Sequence, residues 1–431
     1  MRRRPALPVT PRVVVASRIF APECAAAAFR LAALVRALEA AGARVDVLTT
    51  TSTDHEPTAE ASSPQGVRIR RWPVLRDGTG YVRGYLPYLS FDVPLALRLC
   101  LMRRPDVVVV EPPPTTGAVV RTVLALRSLG HPRIPYVYYA ADVWSDASVS
   151  AGAPAWVVRA LCGVEHFALS GAAEVIAVSE GVGQRVRALG AQSLTVVPNG
   201  IDTSQFRPHA PSPGVSSAQE RAAARGRHGI PAGPFLLYAG TASEWQGAEI
   251  FAEAMPEVLR RMPDACLVFL GQGSSWPVLQ RLADDLPPGA IELRPLVQPG
   301  EAAMWHGAAS GALVSVKPGI GYDFAYPTKV LAALACGTPV VYAGPGPAAA
   351  DLIEHDLGTV VPYDEGAVAE AMLVALRSAP DVAAMQRRAR WAREHRSLEA
   401  TGVAAAQVVL ASAINRPRPP RERSDPGHGR A

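Results

Sequence analysis

A chain of 431 residues with 49% hydrophobic and 19% charged residues has enough apolar material for two or three packed domains, which excludes a disordered protein. The net charge of +5 sits at the ends: Arg2, Arg3 and Arg4 supply three positive charges, and five arginines against Glu422 and Asp425 supply three more from Arg416 onward. The body is close to neutral, which excludes a nucleic-acid-binding body and leaves two basic ends suited to an anionic membrane or to no partner.

The five cysteines are widely spaced and odd in number, with no Cys/His cluster, so neither a zinc site nor a disulfide framework is expected. That pattern fits a reducing cytoplasm. Residues 1–11 lack the apolar run of a signal peptide, and no apolar stretch of about 20 residues is present to span a membrane.

In chain order, the apolar run at Arg12 to Ser17 predicts a strand, Ala25 to Ala41 a helix and Arg44 to Thr49 a second strand. Val67 to Trp72 reads as a strand and Leu86 to Arg104 as a helix. Asp106 to Val110 (DVVVV) reads as a buried parallel strand, followed by Glu111 and three prolines. A helix to about Leu129, a strand at Ile134 to Tyr139 and a helix at Ala155 to Ser170 follow. Glu174 to Val178, Ser179 to Leu189 and Ser193 to Val197 complete the alternation, and Asn199-Gly200 reads as a turn using positive φ.

Past a stretch rich in Pro, Ser, Gly and Arg, a second alternating unit begins at Phe235. Its strands are expected at 235–239, 265–270, 290–293, 312–316, 340–342 and 359–361, and its last helices at 381–395 and 398–414. The expected organisation is a basic arm over 1–11, an α/β domain over 12–206 and a linker over 207–233. A second α/β domain follows over 234–395, then a terminal helix over 396–414 and a disordered basic tail over 415–431. Two doubly wound Rossmann-like domains place ligands at the carboxyl ends of their strands, in the cleft where the domains face each other.

The stretch Lys317 to Val341 stands apart. Of 43 basic residues only two are lysine, Lys317 and Lys329, and they bracket a loop containing Gly319, Gly321, Tyr322 and Asp323. An ammonium is a compact point charge where a guanidinium is a broad fork, and Thr328 opens a helix whose free N–H groups suit a phosphate. Gly271 and Gly273 follow a strand and precede a helix. Either they let the backbone approach a ligand, or they serve the strand-to-helix turn. His166, His306 and His355 read as helix-face residues, and Trp144, Trp245 and Trp276 are expected in loops after strands.

The order of motifs resembles the family 4 glycosyltransferases of GT-B fold. The matching pieces include YYAADVWSD, VSEGVGQRV with VVPNGID, LVFLGQGSSW and YPTKVLAALACGTPVV, in family order over about residues 12 to 395. The resemblance implies transfer of a sugar, with retention and without a metal or other cofactor, from a UDP-, GDP- or dTDP-linked donor held by the second domain. Lys329 would neutralise the donor diphosphate as the leaving group gains charge. Gly271 and Gly273 would lie near the nucleotide, Leu296 and Val297 would meet the base, and Asp142 would stand beside the acceptor and the transferred sugar. Glu23 and Arg30 belong to the acceptor-side loop and helix. The acceptor itself is a small molecule or a lipid-linked one.

The departures from the family are as specific as the matches. The two family glutamates fall on Phe324 and Ala332, the usual Arg and Lys of the first turn of the second domain on Thr241 and Gln246, and the usual glycine pair of the first loop on Ala25 and Ala26. Asp323 either contacts the sugar in place of the missing glutamate or braces its own loop. An active transferase and a degenerate one that binds nucleotide or a protein partner are both consistent with this pattern. Tyr81 to Tyr88 (YVRGYLPY), leading into an apolar helix that ends in Arg103-Arg104, fits a peripheral membrane contact and equally a half-buried helix.

Overall fold

The computed structural model describes residues 10–23, 25–51, 66–76, 85–150, 152–208, 226 and 228–414. The expected basic tail, most of the N-terminal arm, the middle of the linker, Cys24 and residues 81–84 lie outside the described residues.

The chain divides into two compact units. The first takes in the described residues of 1–145, 155–197 and 402–431, and the second takes in 146–154 and 198–401. In chain order the first contains β1 (Arg12–Ala16), α1 (Ala26–Ala40), β2 (Arg44–Thr50), β3 (Val67–Trp72), α2 (Tyr85–Leu101), β4 (Val107–Val110), α3 (Pro114–Arg127) and β5 (Tyr136–Ala140). Then comes α4 (Trp144–Ser150), which from Asp146 belongs to the second unit, followed in the first by α5 (Ala155–Ser170), β6 (Glu174–Ala177), α6 (Glu180–Ala188) and β7 (Leu194–Val196). The seven strands pair in parallel in the order β3-β2-β1-β4-β5-β6-β7. Helices on both faces bury the central strands completely, which is why Val107–Val110 is an unbroken valine run rather than an alternation. Ser179, expected as the start of a helix, is its N-cap: its Oγ accepts the Val182 N–H at 3.2 Å.

The second unit contains β8 (Phe235–Thr241), α7 (Glu249–Glu253), α8 (Met255–Arg261), β9 (Cys266–Gln272), α9 (Trp276–Asp284), β10 (Ile291–Arg294) and α10 (Pro299–Ala308). It continues with β11 (Gly311–Ser315), α11 (Thr328–Ala335), β12 (Val340–Ala343), α12 (Pro347–Glu354), β13 (Gly358–Val361), α13 (Glu365–Arg377), α14 (Val382–Arg396) and the start of α15 (Leu398–Ile414). Its six strands are parallel in the order β10-β9-β8-β11-β12-β13. One cluster packs Phe251, Met255, Leu373 and Leu376 against Leu236 and Phe269 of the sheet. Another packs Val330, Leu331, Leu334 and Trp391 around Val314 and Tyr342.

The units differ from the expected boundaries in two places. The first closes at Val197 rather than 206, because Ile201 exchanges backbone hydrogen bonds of 2.8 Å with Arg396 O and Leu398 N of the second unit. The expected terminal helix is present as α15 (Leu398–Ile414), but from Gly402 it belongs to the first unit, where a Cβ on Gly402 would stand 2.6 Å from Ala33 O. Three local expectations also change. Trp144 and Trp276 open helices α4 and α9 instead of lying in loops. Gly200 does not use positive φ; it is glycine because a Cβ there would stand 2.7 Å from the Leu398 backbone.

Glycines set the carboxyl edge of the second sheet. Gly240 and Gly271 are register partners on β8 and β9, and a Cβ on Gly271 would stand 2.1 Å from Gly240 O. Gly271→Ala is therefore expected to lower stability by about 1–3 kcal/mol through forced strand separation. Gly300→Ala in α10, with open space around it, is expected to raise stability by about 0.4–1 kcal/mol. Urea midpoints of the two variants check both signs.

Candidate functional site

In each sheet the strand order reverses beside one central strand, and the loops leaving that point diverge to form a crevice. In the first unit the reversal lies between β1 and β4, and in the second between β8 and β11.

At the first crevice β1 delivers Ser17 and Arg18, β4 delivers Glu111 and β5 delivers Asp142. Glu111 is buried and paired with the equally buried Arg30 of α1. Its second oxygen lies 3.0 Å from Ser17 Oγ, and the Arg30 guanidinium stands 5.0 Å from the centroid of Tyr139. Burial works against the Arg30 charge, but Glu111, Tyr139 and Asp142 outweigh it and hold the guanidinium pKa above its ordinary value. Asp142 is open to solvent, yet desolvation raises its carboxyl pKa; Arg30 opposes the rise and Glu111 adds to it. Water reaching the carboxylate moderates that rise. The result is a carboxylate with increased proton affinity, positioned to accept a hydrogen bond from a hydroxyl.

Arg18 is buried over the Tyr88 ring at 4.3 Å and near Trp144 at 5.8 Å. Burial lowers its pKa, while Tyr88, Asp92 and Glu111 pull the other way. Glu23, on the loop between β1 and α1, lies 3.6 Å from Arg76. Ala25 caps α1 in an extended conformation, φ −131° and ψ 150°, so the position needs no glycine.

At the second crevice Lys329 projects from the first turn of α11. It is partly buried, and burial alone brings its amine pKa down to about 7. Its Nζ lies 5.1 Å from the centroid of Tyr238, and its Cε would stand 3.2 Å from a Cβ on Gly240. Glycine at 240 is what lets the lysine stem pass the end of β8. Among the described residues no carboxylate pairs with Lys329. Pro327 caps α11 without a side-chain hydrogen bond, so the N–H groups of the first turn, beginning at Thr328, are not closed by a side chain.

Lys317 differs from Lys329: its Nζ lies 3.7 Å from Glu249 Oε1 and its side chain is 44% exposed. Between the lysines the loop turns through Gly319 at φ +76° and Gly321 at φ +82°. Asp323 Oδ1 accepts the Gly319 N–H at 3.1 Å, which braces the turn. Tyr322 stacks between Trp245 at 5.0 Å and Phe324 at 6.4 Å.

A family model described as a glycosyl transferase 4-like domain matches residues 26–200, and one described as glycosyl transferases group 1 matches residues 233–378. Together they account for more than half of the sequence. This chain belongs to the GT-B glycosyltransferases. The glycosyltransferase is 31% identical over 172 residues to a GDP-mannose-dependent alpha-(1-6)-phosphatidylinositol monomannoside mannosyltransferase of Mycolicibacterium smegmatis, covering 39% of this chain and 43% of that one. It is 28% identical over 201 residues to a D-inositol 3-phosphate glycosyltransferase of Segniliparus rotundus, covering 44% and 40%. The chain thus spans less than half the length of either curated relative. Its fold is similar to that of Anabaena HepE, solved in complex with UDP-glucose, with a TM-score of 0.66 at 14% identity over 93% of this chain and 99% of that one.

The glycosyltransferase gathers Lys317, Gly319, Gly321, Tyr322, Asp323, Thr328 and Lys329 on the loop leaving β11 and the first turn of α11. Other expected positions have local explanations. Gly271 and Gly273 are required by strand approach, since a Cβ on Gly273 would stand 2.0 Å from Ala242 O. Gln246 is buried, with its Oε1 accepting from Ser243 N at 3.2 Å and lying 3.2 Å from Tyr238 Oη, so its side chain braces the turn after β8. Thr241 is exposed at the end of β8. Leu296 is exposed after β10, and Val297 packs against the Ile230–Phe235–Trp305 cluster. Ala332, where the family has a glutamate, is buried in the core of α11.

Sequence reasoning passed over Glu111, Arg18, Tyr139 and Gly240. For Glu111 the signal was present: an acid directly after a four-valine parallel strand stands where such sheets bind ligands. Lys329 carries one pH consequence that needs no ligand. Its folded pKa of about 7 lies below the ordinary 10.5, so between those values the unfolded chain binds more protons and stability rises with pH. Lys329→Met removes a buried charge that is unfavourable at low pH. Its melting temperature should exceed that of the wild type at pH 6, and the gap should close as pH rises toward 10. Melting curves across that range check the sign.

Proposed function

We propose that this glycosyltransferase moves a sugar from a nucleotide-diphosphate donor to a hydroxyl acceptor, with retention and without a metal ion. The single observation that carries the reading is Lys329: a desolvated lysine with no carboxylate partner among the described residues, at the switch point of a parallel sheet and beside an open helix start. A diphosphate is the partner that such a site lacks, and it would restore the ammonium. Lys329 then stabilises the nucleotide diphosphate as it departs, and the leaving phosphate oxygen takes the acceptor proton. Lys317 adds charge at the far end of the loop. Asp142, with its raised proton affinity, orients the acceptor hydroxyl. The acceptor is a small polyhydroxylated or lipid-linked molecule held at the first crevice, with Arg30 locked beneath it by Glu111.

The positions of Phe324 and Ala332 favour a second reading, in which the site binds nucleotide without catalysis. Neither side chain offers a carboxylate to the sugar or ribose, and Asp323 is engaged with Gly319 N.

A panel of UDP, GDP and dTDP, tested by thermal shift on the full chain, separates these readings. One diphosphate should raise the melting temperature, since ligand at 100 times Kd stabilises by about 2.7 kcal/mol. The shift should vanish in Lys329→Met and shrink above pH 7 as the amine loses its proton. Release of nucleotide from the matching sugar donor then reports turnover. No shift with any nucleotide overturns the donor-site reading; a shift without turnover establishes the binding-only reading. Loss of turnover in Asp323→Ala with the shift retained would give Asp323 a sugar contact, and retained turnover would leave it as a loop brace.

A further inference from the structure

We propose that the outward face of α2, with the adjoining ends of α2 and α3, docks on an anionic lipid bilayer. Helix α2 is apolar on two sides. Phe91, Leu95 and Leu99 are fully buried in the first unit, and on the opposite side Leu86, Leu89, Val93, Leu97 and Leu101 are each more than half exposed. Their spacing of three and four residues sets them on one stripe along a 17-residue helix, about 25 Å long. A continuous apolar stripe on a surface helix marks an interaction face.

Charge selects the occupant. Asp92 is the single acidic residue of α2, and it is turned inward, accepting the Thr116 hydroxyl at 2.7 Å. Helix α3 and the chain after it to Pro135 contain no Asp or Glu at all. The C-terminal ends of the two helices are tied together, with Arg127 donating to Leu99 O and to Met102 O at 2.8 Å, and Arg104 to Arg127 O at 2.8 Å. At that shared end Leu126 and Leu129 are exposed beside Arg103 and Arg133, which are also exposed. The surface is thus leucine edged at one end by arginine, with no outward acid on α2 and none on α3, which is complementary to an apolar layer under anionic headgroups. No described helix is long and apolar enough to cross a membrane, so the contact is peripheral. The surface lies entirely within the first unit and its test does not depend on Lys329 or on any nucleotide.

The test is flotation of the full-length chain with vesicles of phosphatidylcholine alone and of phosphatidylcholine with about one third phosphatidylglycerol. The wild type should float with the anionic vesicles, release on addition of salt and remain behind with the neutral ones. Leu89→Glu/Leu97→Glu, outward on α2, should bind about tenfold more weakly with an unchanged melting temperature. Arg103→Glu/Arg133→Glu should weaken binding to anionic vesicles in the same way. The proposal is overturned if the wild type does not float, if it floats equally with neutral vesicles, or if the leucine variant floats like the wild type. It is also overturned if the wild type is a dimer in solution that the leucine variant dissociates, since the stripe would then be covered by its own copy.

Discussion

The second unit is organised around a positive charge, that of Lys329, with which no carboxylate pairs among the described residues. A partly buried ammonium keeps a lowered pKa only when its surroundings are held in place, because relaxation would let the side chain swing out to water. Here the restraint comes from several directions. Gly240 opens a channel for the lysine stem, the Tyr238 ring lies under the amine, and Tyr238 is itself fixed among Phe251 and Phe269. Gln246 holds the turn after β8 closed against Tyr238. The glycines at 271 and 273 draw the ends of β8 and β9 together at the same edge. Residues that look like separate ligand contacts in the sequence thus form the support of one cation.

The first unit treats charge in the opposite manner. Arg30 and Glu111 are buried together, with Ser17 against the second Glu111 oxygen, so the pair has little left to offer a ligand. Its effect is indirect: it sets the field in which Asp142 titrates. Breaking such a pair leaves a buried charge behind, so both partners are held by the fold and not only by function. One crevice presents a cation with no described carboxylate partner, and the other a carboxylate of raised proton affinity.

Much of this was legible in the sequence because it rests on local pattern. Valine runs gave the buried parallel strands, alternation of strands and helices gave two doubly wound sheets, and the rarity of lysine singled out Lys317 and Lys329. What was not legible depends on contacts far apart in sequence. Arg30 and Glu111 are 81 residues apart in sequence, and nothing near either one signals the other. The glycine at 200 looked like turn chemistry, yet it answers to Leu398. The domain boundaries shifted for the same reason: hydrogen bonds between Ile201 and the 396–398 segment, and the approach of Gly402 to Ala33, belong to the folded chain alone.

The scarcity of lysine has a practical meaning for chemistry on the side chains. An ordinary lysine near pKa 10.4 is almost wholly protonated at neutral pH and so reacts slowly with acylating reagents. Lys329, titrating near 7, presents a free amine to such reagents in a substantial share of molecules, whereas Lys317 is the sole other lysine in the chain and sits beside a carboxylate. An anionic amine-directed label would therefore find one preferred side chain in a protein of 431 residues, and would report from inside the crevice itself.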